Sequence, residues 1–319
     1  MLLPPTAEAV SQFWLAHERG ERVGLRTSGT TTGNGRVIVR STGSWVASFG
    51  SLAASFGLDS GMRMWIPGPF SSTMNLFAAV LAEYLGGLWS TEPRGMNIAQ
   101  LTPATLERLL AEGVPEGITR AIVAGDGMSV KLRDRARRSG LDVLHYYGAT
   151  ELSLVAVGTC CNDLRLFDRV QARLDGQTLW VRSPWLADDY AESNEQFEFR
   201  DGFVTVGDQA RLSGERIWLL GRPGTITTAG QTIFLAPLRE RLSEVASGEF
   251  WLGGLPNESV GQVLTVACTP ADLPVLRGWA RENLSGADRP RRWIACEDFP
   301  LTEAGKLDER ALVERLVAS

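Results

Sequence analysis

Compact apolar runs in the first half of the chain alternate with segments whose apolar positions recur every three or four residues. The runs at 121–124 and 143–147 predict buried strands, and the recurring pattern predicts helices at 75–85, 104–111 and 129–139. Strands that alternate with helices build layered domains in which helices cover a sheet. The pattern therefore predicts an α/β domain.

The N-terminal pattern predicts a helix at 6–20, a strand at 22–26 and a second strand at 37–39. Glycines and hydroxyl residues fill the intervening stretch 27–36, so the two strands have the pattern of a hairpin. A further strand is predicted at 62–66.

From about residue 164 the pattern changes to short strands joined by turn residues. Hairpin turns are predicted at Asp175-Gly176, Asp201-Gly202 and Ser213-Gly214, and a break at 221–224. The remainder contains one strand pattern and three helix patterns, which predict a small α+β domain. These segments are the strand 262–268 and the helices 235–246, 271–284 and 307–318.

Charge and hydropathy exclude several classes of protein. The 319 residues carry a formal net charge of −5, which argues against a nucleic-acid partner, because such binding depends on neutralising phosphates. The longest apolar stretch, 77–89, contains Glu83 and is shorter than the roughly 20 residues needed to cross a bilayer. The first residues lack a secretory signal pattern. We therefore expect a cytoplasmic protein with no membrane or nucleic-acid partner.

Cysteine and histidine counts limit the chemistry further. The four cysteines are an adjacent pair and two scattered residues, which is neither a zinc-site spacing nor a disulfide scaffold. Only two histidines are present, so a multi-histidine metal site is excluded. No serine lies in a G-x-S-x-G elbow. Reduced thiols in a cytoplasmic protein are the expected state.

The Gly- and Thr-rich stretch 27–36 has the composition of an anion-binding loop. Glycine allows a close approach of the backbone, and successive N–H groups can surround an oxyanion, with Arg36 adding positive charge. The stretch matches neither a Walker A loop nor a dinucleotide fingerprint. By itself it fits a hairpin turn equally well.

Five motifs in a fixed order make the chain resemble the adenylate-forming superfamily, which includes acyl- and aryl-CoA ligases. Thr27-Ser28-Gly29-Thr30-Thr31 resembles its phosphate signature, and 147–151 matches its Tyr-Gly-x-Thr-Glu motif. Gly207-Asp208 resembles its Thr-Gly-Asp motif, Gly221-Arg222 the start of its hinge, and 299–306 its C-terminal lysine motif. Taken alone, each of three motif residues has a structural interpretation. Tyr147 fits a residue of the packed core, Asp208 fits a turn residue, and Glu151 fits a carboxylate at the start of a helix. Their order is what favours a shared function.

The resemblance implies an α/β fold with two domains. Residues 1–221 are expected to form a layered, partly β-rich N-terminal domain that binds nucleotide and acyl group and that lacks the family's first subdomain. Residues 222–319 are expected to form a small mobile α+β lid domain carrying the catalytic lysine. Pro223 and Gly224 are expected at the hinge.

The resemblance also implies roles for individual residues. Lys306, Thr150 and Glu151 are expected to be catalytic, with Glu151 binding Mg²⁺ and Thr150 contacting the α-phosphate of ATP. Phe70, Ser71, Gly148 and Ala149 are expected to line the substrate pocket. The expected nucleotide-binding residues are Thr27, Ser28, Gly29, Thr30, Thr31, Arg36, Gly125, Asp126, Gly127, Tyr146, Tyr147, Gly148, Asp208 and Arg222.

The implied reaction joins a small carboxylic acid to ATP and then to a thiol. The acid forms acyl-AMP and releases pyrophosphate, after which coenzyme A displaces AMP. Both reactants of the first step are anionic, so a positioned lysine lowers the barrier electrostatically. Lys306 is expected to supply that charge.

Three departures from the family pattern concern the loop, the hinge and the substrate side. Thr32 is inserted after the phosphate signature and Arg36 replaces a lysine, Pro223 stiffens the hinge, and the aromatic-His pattern near Phe70 is absent. The short length and the stretch 228–234 resemble o-succinylbenzoate–CoA ligases of menaquinone synthesis. Two alternatives stay open: an enzyme that loads a separate acyl-carrier protein, and a catalytically impaired nucleotide-binding homologue.

Overall fold

The computed structural model describes residues 1–26, 37–190, 198–300 and 307–318. The described chain divides into two compact units, the first ending at Pro223 and the second beginning at Gly224.

The first unit contains five helices and sixteen strands among its described residues. The helices are α1 (Glu8–Glu18), α2 (Thr42–Phe56), α3 (Thr73–Tyr84), α4 (Pro103–Glu112) and α5 (Val130–Arg138). The strands are β1 (Arg22–Arg26), β2 (Val37–Ser41), β3 (Arg63–Trp65), β4 (Leu88–Ser90), β5 (Ile98–Leu101), β6 (Arg120–Val123), β7 (Asp142–Ala149), β8 (Ser153–Gly158), β9 (Arg165–Leu166), β10 (Gln171–Asp175), β11 (Thr178–Arg182), β12 (Asp189–Tyr190), β13 (Glu198–Arg200), β14 (Phe203–Thr205), β15 (Gln209–Ser213) and β16 (Arg216–Gly221).

Most of these strands belong to one mixed sheet. Its parallel part has the order β4-β3-β5-β6-β7, and β7 then pairs antiparallel with β8. Beyond β8 the order is β9-β16-β15-β11-β14-β13, with β10 also paired to β11. The hairpins at 175–176, 201–202 and 213–214 predicted from turn residues are confirmed.

The central parallel strands β5 and β6 are buried on both faces. Ile98 and Ile122 point into one core, together with apolar residues of α1, α2 and α3. Ala121 and Val123 point into a second core, together with Leu106 of α4 and Leu132 of α5. Helices therefore cover both faces of the parallel strands, and the predicted α/β fold is confirmed.

The carboxyl ends of the parallel strands bring several polar segments to one edge of the sheet. β3 leads toward Phe70, β6 leads to Asp126, and β7 ends beside Thr150. In open α/β sheets this edge is where ligands bind. The fold therefore gathers the predicted acyl and nucleotide residues of this part of the chain.

A small separate sheet has the order β1-β2-β12. β1 and β2 pair antiparallel over five residues, from Arg22↔Ser41 to Arg26↔Val37, which confirms the predicted hairpin strands. The connecting residues 27–36 lie outside the described residues. β12 pairs with the other side of β2 at Ile38 and Val39.

The second unit is an α+β domain. Its described elements are β17 (Thr225–Thr228), β18 (Gln231–Phe234), α6 (Leu235–Ser243), β19 (Phe250–Asn257), β20 (Gly261–Cys268), α7 (Asp272–Asn283), a 3-10 turn (Gly286–Asp288), β21 (Arg292–Ala295) and α8 (Glu309–Ala318). The sheet order is β18-β17-β20-β19, with β21 parallel to β20. Apolar residues of α6 and α7 pack in one core of this unit, and those of α8 in another.

Within residues 1–26, 37–190, 198–300 and 307–318, every helix is too short or too polar to cross a bilayer.

Candidate active site

Asp208 joins Tyr147 and Arg222 in a hydrogen-bonded group, here called the Asp208 cluster. The Tyr147 hydroxyl donates to Asp208 Oδ2 at 2.6 Å, and Arg222 Nε donates to Oδ1 at 2.8 Å. Tyr147 lies in β7, Asp208 lies in the turn before β15, and Arg222 directly follows β16. The sheet thus places three predicted nucleotide-binding residues in direct contact.

The electrostatics of the Asp208 cluster keep the Tyr147 phenol protonated and the Arg222 guanidinium charged. Removal from solvent, followed by the nearby charge of Asp208, raises the pKa of Tyr147 well above its usual value, so the phenol stays protonated and donates. Burial lowers the pKa of Arg222, but the ion pair with Asp208 outweighs it and the net direction is upward. Each partner therefore stays in the protonation state that the hydrogen bonds require.

The Thr150–Glu151 turn connects β7 to β8, so the alternative of a helix start at Glu151 is wrong. The Thr150 hydroxyl donates to Thr73 Oγ1 at 3.2 Å, at the beginning of α3. The carbonyl oxygen of Glu151 accepts from the N–H of Ala187 at 2.8 Å. The turn is therefore attached to both α3 and the segment after β11.

The loop Gly125-Asp126-Gly127 follows β6 at the same edge of the sheet. Gly125 has φ +86°, and a Cβ at this position would lie 3.6 Å from Thr102 Cγ2 and 3.7 Å from Met74 Sδ. Asp126 Oδ1 accepts from the N–H of Gly127 at 2.7 Å. Burial raises the pKa of Asp126 to about 6, although this hydrogen bond opposes the shift. The Asp126 carboxyl is thus a weaker acid than usual.

The predicted pocket residues differ in exposure. Phe70 is buried, and its ring lies 5.2 Å from that of Trp89, whereas Ser71 is exposed. Tyr146 and Ala149 are half-buried on β7. Loss of solvent contact raises the pKa of Tyr146, so its hydroxyl is neutral.

Gly148 sits where β7 and β8 come unusually close. The register of the two strands shifts between Tyr147 and Gly148, and a Cβ on Gly148 would lie 2.3 Å from the carbonyl oxygen of Ser153. Because backbone must move to accept it, Gly148→Ala is expected to lower the free energy of unfolding by about 1–3 kcal/mol. Urea denaturation measures this change.

The matched control is Gly50→Ala in the middle of α2. No atom lies within 4 Å of a Cβ placed there, so the substitution is expected to raise the free energy of unfolding by about 0.5–1 kcal/mol. Equal stability of the Gly148→Ala variant and the unsubstituted protein would contradict the proposed close approach.

The structure describes both predicted hinge residues, whereas seven predicted site residues lie outside the described ranges. Pro223 and Gly224 are both exposed and flank the division between the two units; Gly224 has φ +69°. The predicted residues outside the described ranges are Thr27, Ser28, Gly29, Thr30, Thr31, Arg36 and Lys306.

Sequence reasoning missed two side chains that contact the Thr150–Glu151 turn. Thr73 contacts it through the hydroxyl bond above, and Arg40 Nη1 donates to the carbonyl oxygen of Thr150 at 3.0 Å. A charged residue in the otherwise apolar run 37–40 was the available signal for Arg40. Thr73 carries no comparable local signal, because only the sheet order brings α3 beside this turn.

A groove of about 370 Å³ in the second unit is lined mainly by arginines and is here called the arginine groove. It lies beside α7 and β21. Arg289 Nε donates to the carbonyl oxygen of Leu284 at 2.8 Å, and Arg291 Nη2 donates to that of Gly286 at 3.2 Å. Its lining residues are Arg277, Ala280, Arg281, Arg289, Pro290, Arg291 and Trp293, with no carboxylate among them. The groove is therefore suited to an anion.

Glu151 is the carboxylate predicted from sequence to bind Mg²⁺. The described part of the chain contains no group of three or more His, Cys, Asp or Glu side chains that could hold a metal ion. Mg²⁺ is usually held by one or two carboxylates, substrate phosphates and water. A single carboxylate such as Glu151 beside a triphosphate matches that requirement.

No family model matches the chain. It is 25% identical over 322 residues to the uncharacterized acyl–CoA ligase YhfT of Bacillus subtilis, covering 88% of this chain and 66% of that protein. It is 32% identical over 149 residues to the salicyl-AMP ligase/salicyl-S-ArCP synthetase of Mycobacterium tuberculosis, covering 43% of this chain and 26% of that protein. The chain thus spans less than two thirds of either relative.

Solved structures share the fold. A double mutant of o-succinylbenzoate CoA synthetase from Bacillus subtilis superposes with a TM-score of 0.74 at 21% identity, covering 92% of this chain and 69% of that chain. The chain is therefore similar in sequence to acyl-CoA and aryl-acid ligases over part of their length, and it shares the fold of the solved ligase structure.

Proposed function

We propose that this chain activates a small carboxylic acid with ATP and then transfers the acyl group to coenzyme A. In the first step a carboxylate oxygen bonds to the α-phosphorus, and the bond from that phosphorus to the oxygen bridging to the β-phosphate breaks. Pyrophosphate leaves and acyl-AMP remains. In the second step the thiol sulfur bonds to the acyl carbon, AMP leaves, and the thiol proton is released. We further propose a cytoplasmic location, because the four cysteines are free thiols and such thiols persist in a reducing compartment.

The Asp208 cluster is the observation that carries this proposal. Tyr147 and Arg222 each occupy one acceptor site on a different oxygen of Asp208. A carboxylate has about four such sites, so acceptor capacity remains on both oxygens. Two neighbouring hydroxyls of a ribose can fill it, and the ring of Tyr147 beside them offers a face for adenine.

The remaining roles follow from the resemblance and from residue chemistry. We propose that Thr27, Ser28, Gly29, Thr30, Thr31 and Arg36 bind the β- and γ-phosphates. Thr150 contacts the α-phosphate and Glu151 binds Mg²⁺, which neutralises phosphate charge. Lys306 stabilises the negative charge that develops between the carboxylate and the phosphate.

The acid is proposed to be aromatic or aliphatic and similar in kind to o-succinylbenzoate. Phe70 is buried against Trp89, which gives the predicted substrate side an apolar aromatic wall. The resemblance to the o-succinylbenzoate ligases adds to this argument and suggests a role in menaquinone synthesis.

Acid-dependent exchange of radiolabelled pyrophosphate into ATP, across a panel that includes o-succinylbenzoate, benzoates and fatty acids, tests the first half-reaction. Exchange with at least one acid is expected. No exchange with any acid in the presence of Mg²⁺ would favour the impaired nucleotide-binding homologue and overturn the proposal.

The acceptor is proposed to be coenzyme A because the arginine groove suits a ligand with several phosphates. A phosphopantetheine arm on a carrier protein has one phosphodiester, whereas coenzyme A also has a diphosphate and a 3′-phosphate. Arg281→Ala removes one guanidinium of the groove but keeps the backbone oxygen to which Arg289 donates. We expect the KM for coenzyme A to rise about tenfold, the scale for one charge-assisted hydrogen bond, with pyrophosphate exchange unchanged.

Arg310→Ala is the control for this variant. Arg310 lies on α8 of the same unit, is 89% exposed and pairs with Glu314 at 3.0 Å. Thioester formation with this variant should match that of the unsubstituted protein. An unaltered KM for coenzyme A in Arg281→Ala would show that the arginine groove does not bind the acceptor.

The second candidate acceptor is a separate acyl-carrier protein. The similarity to the salicyl-S-ArCP synthetase, a protein named for loading an aryl carrier, favours keeping it in the test. Thioester formation on a phosphopantetheinylated carrier, together with no reaction with coenzyme A, would select this alternative.

A further inference from the structure

Arg40 is a fully buried arginine in strand β2, just after the proposed phosphate loop. Its guanidinium donates to the carbonyl oxygen of Thr150 at 3.0 Å and to that of Trp185 at 2.6 Å. It also donates to Ser44 Oγ from Nε at 3.3 Å and from Nη2 at 2.9 Å. Three separate segments of the first unit therefore share one side chain.

The surroundings of Arg40 keep its charge inside the protein. Its guanidinium carbon lies 4.9 Å from the centre of the Trp45 ring, at a distance where the aromatic face stabilises a cation. Burial lowers the pKa of Arg40 to about 9, although Asp188 and Glu151 raise it, so the side chain is protonated at neutral pH. A buried charge is costly without such compensation, so a neutral residue would suit a purely structural position better.

The hydrogen bonds of Arg40 are part of a network that connects the Thr150–Glu151 turn, the segment 187–188 and strand β2. The carbonyl oxygen of Glu151 accepts from the N–H of Ala187, and the N–H of Asp188 donates to the carbonyl oxygen of Val39 in β2. Arg40 thus fixes the Thr150 side of the turn, while Ala187 fixes the Glu151 side. A planar guanidinium reaches two carbonyl oxygens at once, which a lysine ammonium does not reproduce.

We propose that Arg40 is a positioning residue for adenylation, which holds the Thr150–Glu151 turn against β2 through the carbonyl oxygens of Thr150 and Trp185. This inference rests on the proposed function, since it assigns the turn to the α-phosphate and Mg²⁺. It adds a residue outside the five motifs, and it links the strand after the phosphate loop to the proposed metal-binding carboxylate.

The test compares Arg40→Lys and Arg40→Met with Ser44→Ala. Lysine keeps the charge but loses the two-carbonyl geometry, whereas methionine loses both. Both Arg40 variants are expected to lower the turnover of pyrophosphate exchange and to raise the half-saturating Mg²⁺ concentration by about tenfold, as losses of supporting contacts to metal ligands do. Ser44→Ala removes one acceptor of Arg40 but leaves both carbonyl contacts, so its Mg²⁺ dependence should stay unchanged.

Hydrogen–deuterium exchange supplies a readout that does not depend on activity. In folded Arg40→Lys protein, the peptides covering 149–152 and 185–188 should exchange faster than in the unsubstituted protein, while those of α3 should not. The inference would be overturned if the turn in Arg40→Lys exchanged deuterium at the rate of the unsubstituted protein. It would also be overturned if both Arg40 variants kept an unchanged Mg²⁺ dependence. Uniformly fast exchange over the whole first unit would also overturn it, because Arg40 would then act on global stability.

Different results would contradict the proposed function and the proposed role of Arg40. Absence of pyrophosphate exchange in the unsubstituted protein would contradict the proposed function. Normal exchange in the unsubstituted protein, together with normal exchange in the Arg40 variants, would contradict only the role of Arg40.

Discussion

Replacing Lys306 by alanine is expected to slow acid-dependent pyrophosphate exchange by about 10²–10³-fold, the scale for losing one preorganised charged donor. The reason is electrostatic: carboxylate and triphosphate repel each other, and the ammonium group offsets that repulsion as the new bond forms. Thioester formation from chemically prepared acyl-AMP should be affected less, because that step joins no carboxylate to phosphate. Rapid-quench measurement of each half-reaction separates the two.

The chain offers a matched control, because its only two lysines are Lys131 and Lys306. Lys131 is exposed on α5, and Lys131→Ala should leave both half-reactions unchanged. Amine labelling followed by mass spectrometry adds an independent readout, since ATP and acid together should protect Lys306 and not Lys131. An unchanged rate of pyrophosphate exchange in Lys306→Ala would mean that this lysine has no part in adenylation.

Replacing Asp208 by alanine is expected to lower kcat/KM for ATP by about 100-fold. Two hydrogen bonds from ribose hydroxyls to a charged acceptor are lost, and about 3 kcal/mol corresponds to that factor. The substitution also leaves Arg222 and the Tyr147 hydroxyl without their shared acceptor. Initial rates of pyrophosphate exchange against ATP concentration measure the effect, and KM for the acid should change little.

Asp201→Asn is the control for this prediction. Asp201 lies in the β13–β14 turn with its side chain 84% exposed, and it forms an ion pair with Arg173 at 3.6 Å. Exchange kinetics of this variant should match those of the unsubstituted protein. A folded Asp208→Ala variant with an unchanged KM for ATP would show that the Asp208 cluster does not bind the nucleotide.

Elements with strong local patterns were predictable from sequence. The runs 121–124 and 143–147 are the strands β6 and β7, and the helix patterns at 104–111 and 129–139 are α4 and α5. Helix α2 was missed because its Ser- and Gly-rich sequence has low helix propensity. Its buried Trp45, Phe49, Leu52 and Phe56 do recur at helical spacing, and tertiary packing of that face compensates.

Strand β19 was also missed, for a different reason. It contains Gly253, Gly254 and Pro256, which are poor strand residues, yet it pairs with β20 along its whole length. A Cβ on Gly253 would lie 2.1 Å from the Trp251 ring, so the missing side chain makes room for the tryptophan. The demand for glycine comes from packing, which local propensity does not describe.

The sequence by itself determined the class of fold, the alternation of elements in the first half, and the kinds of side chain available for chemistry. Hydrophobic periodicity and turn residues depend only on positions close together in the chain. Where the two signals agree, they predict the local helix or strand correctly. The order of the five motifs added the resemblance, which the homologues and structural neighbours confirmed.

Only the tertiary structure decided which of these side chains meet. Tyr147 and Asp208 are 61 positions apart, and Arg40 lies 110 positions from Thr150 and 145 from Trp185. Such contacts follow from strand order and register in the sheet, which are fixed by long-range pairing and burial. The partners of Asp208 and the buried charge behind the Thr150–Glu151 turn are therefore properties of the fold.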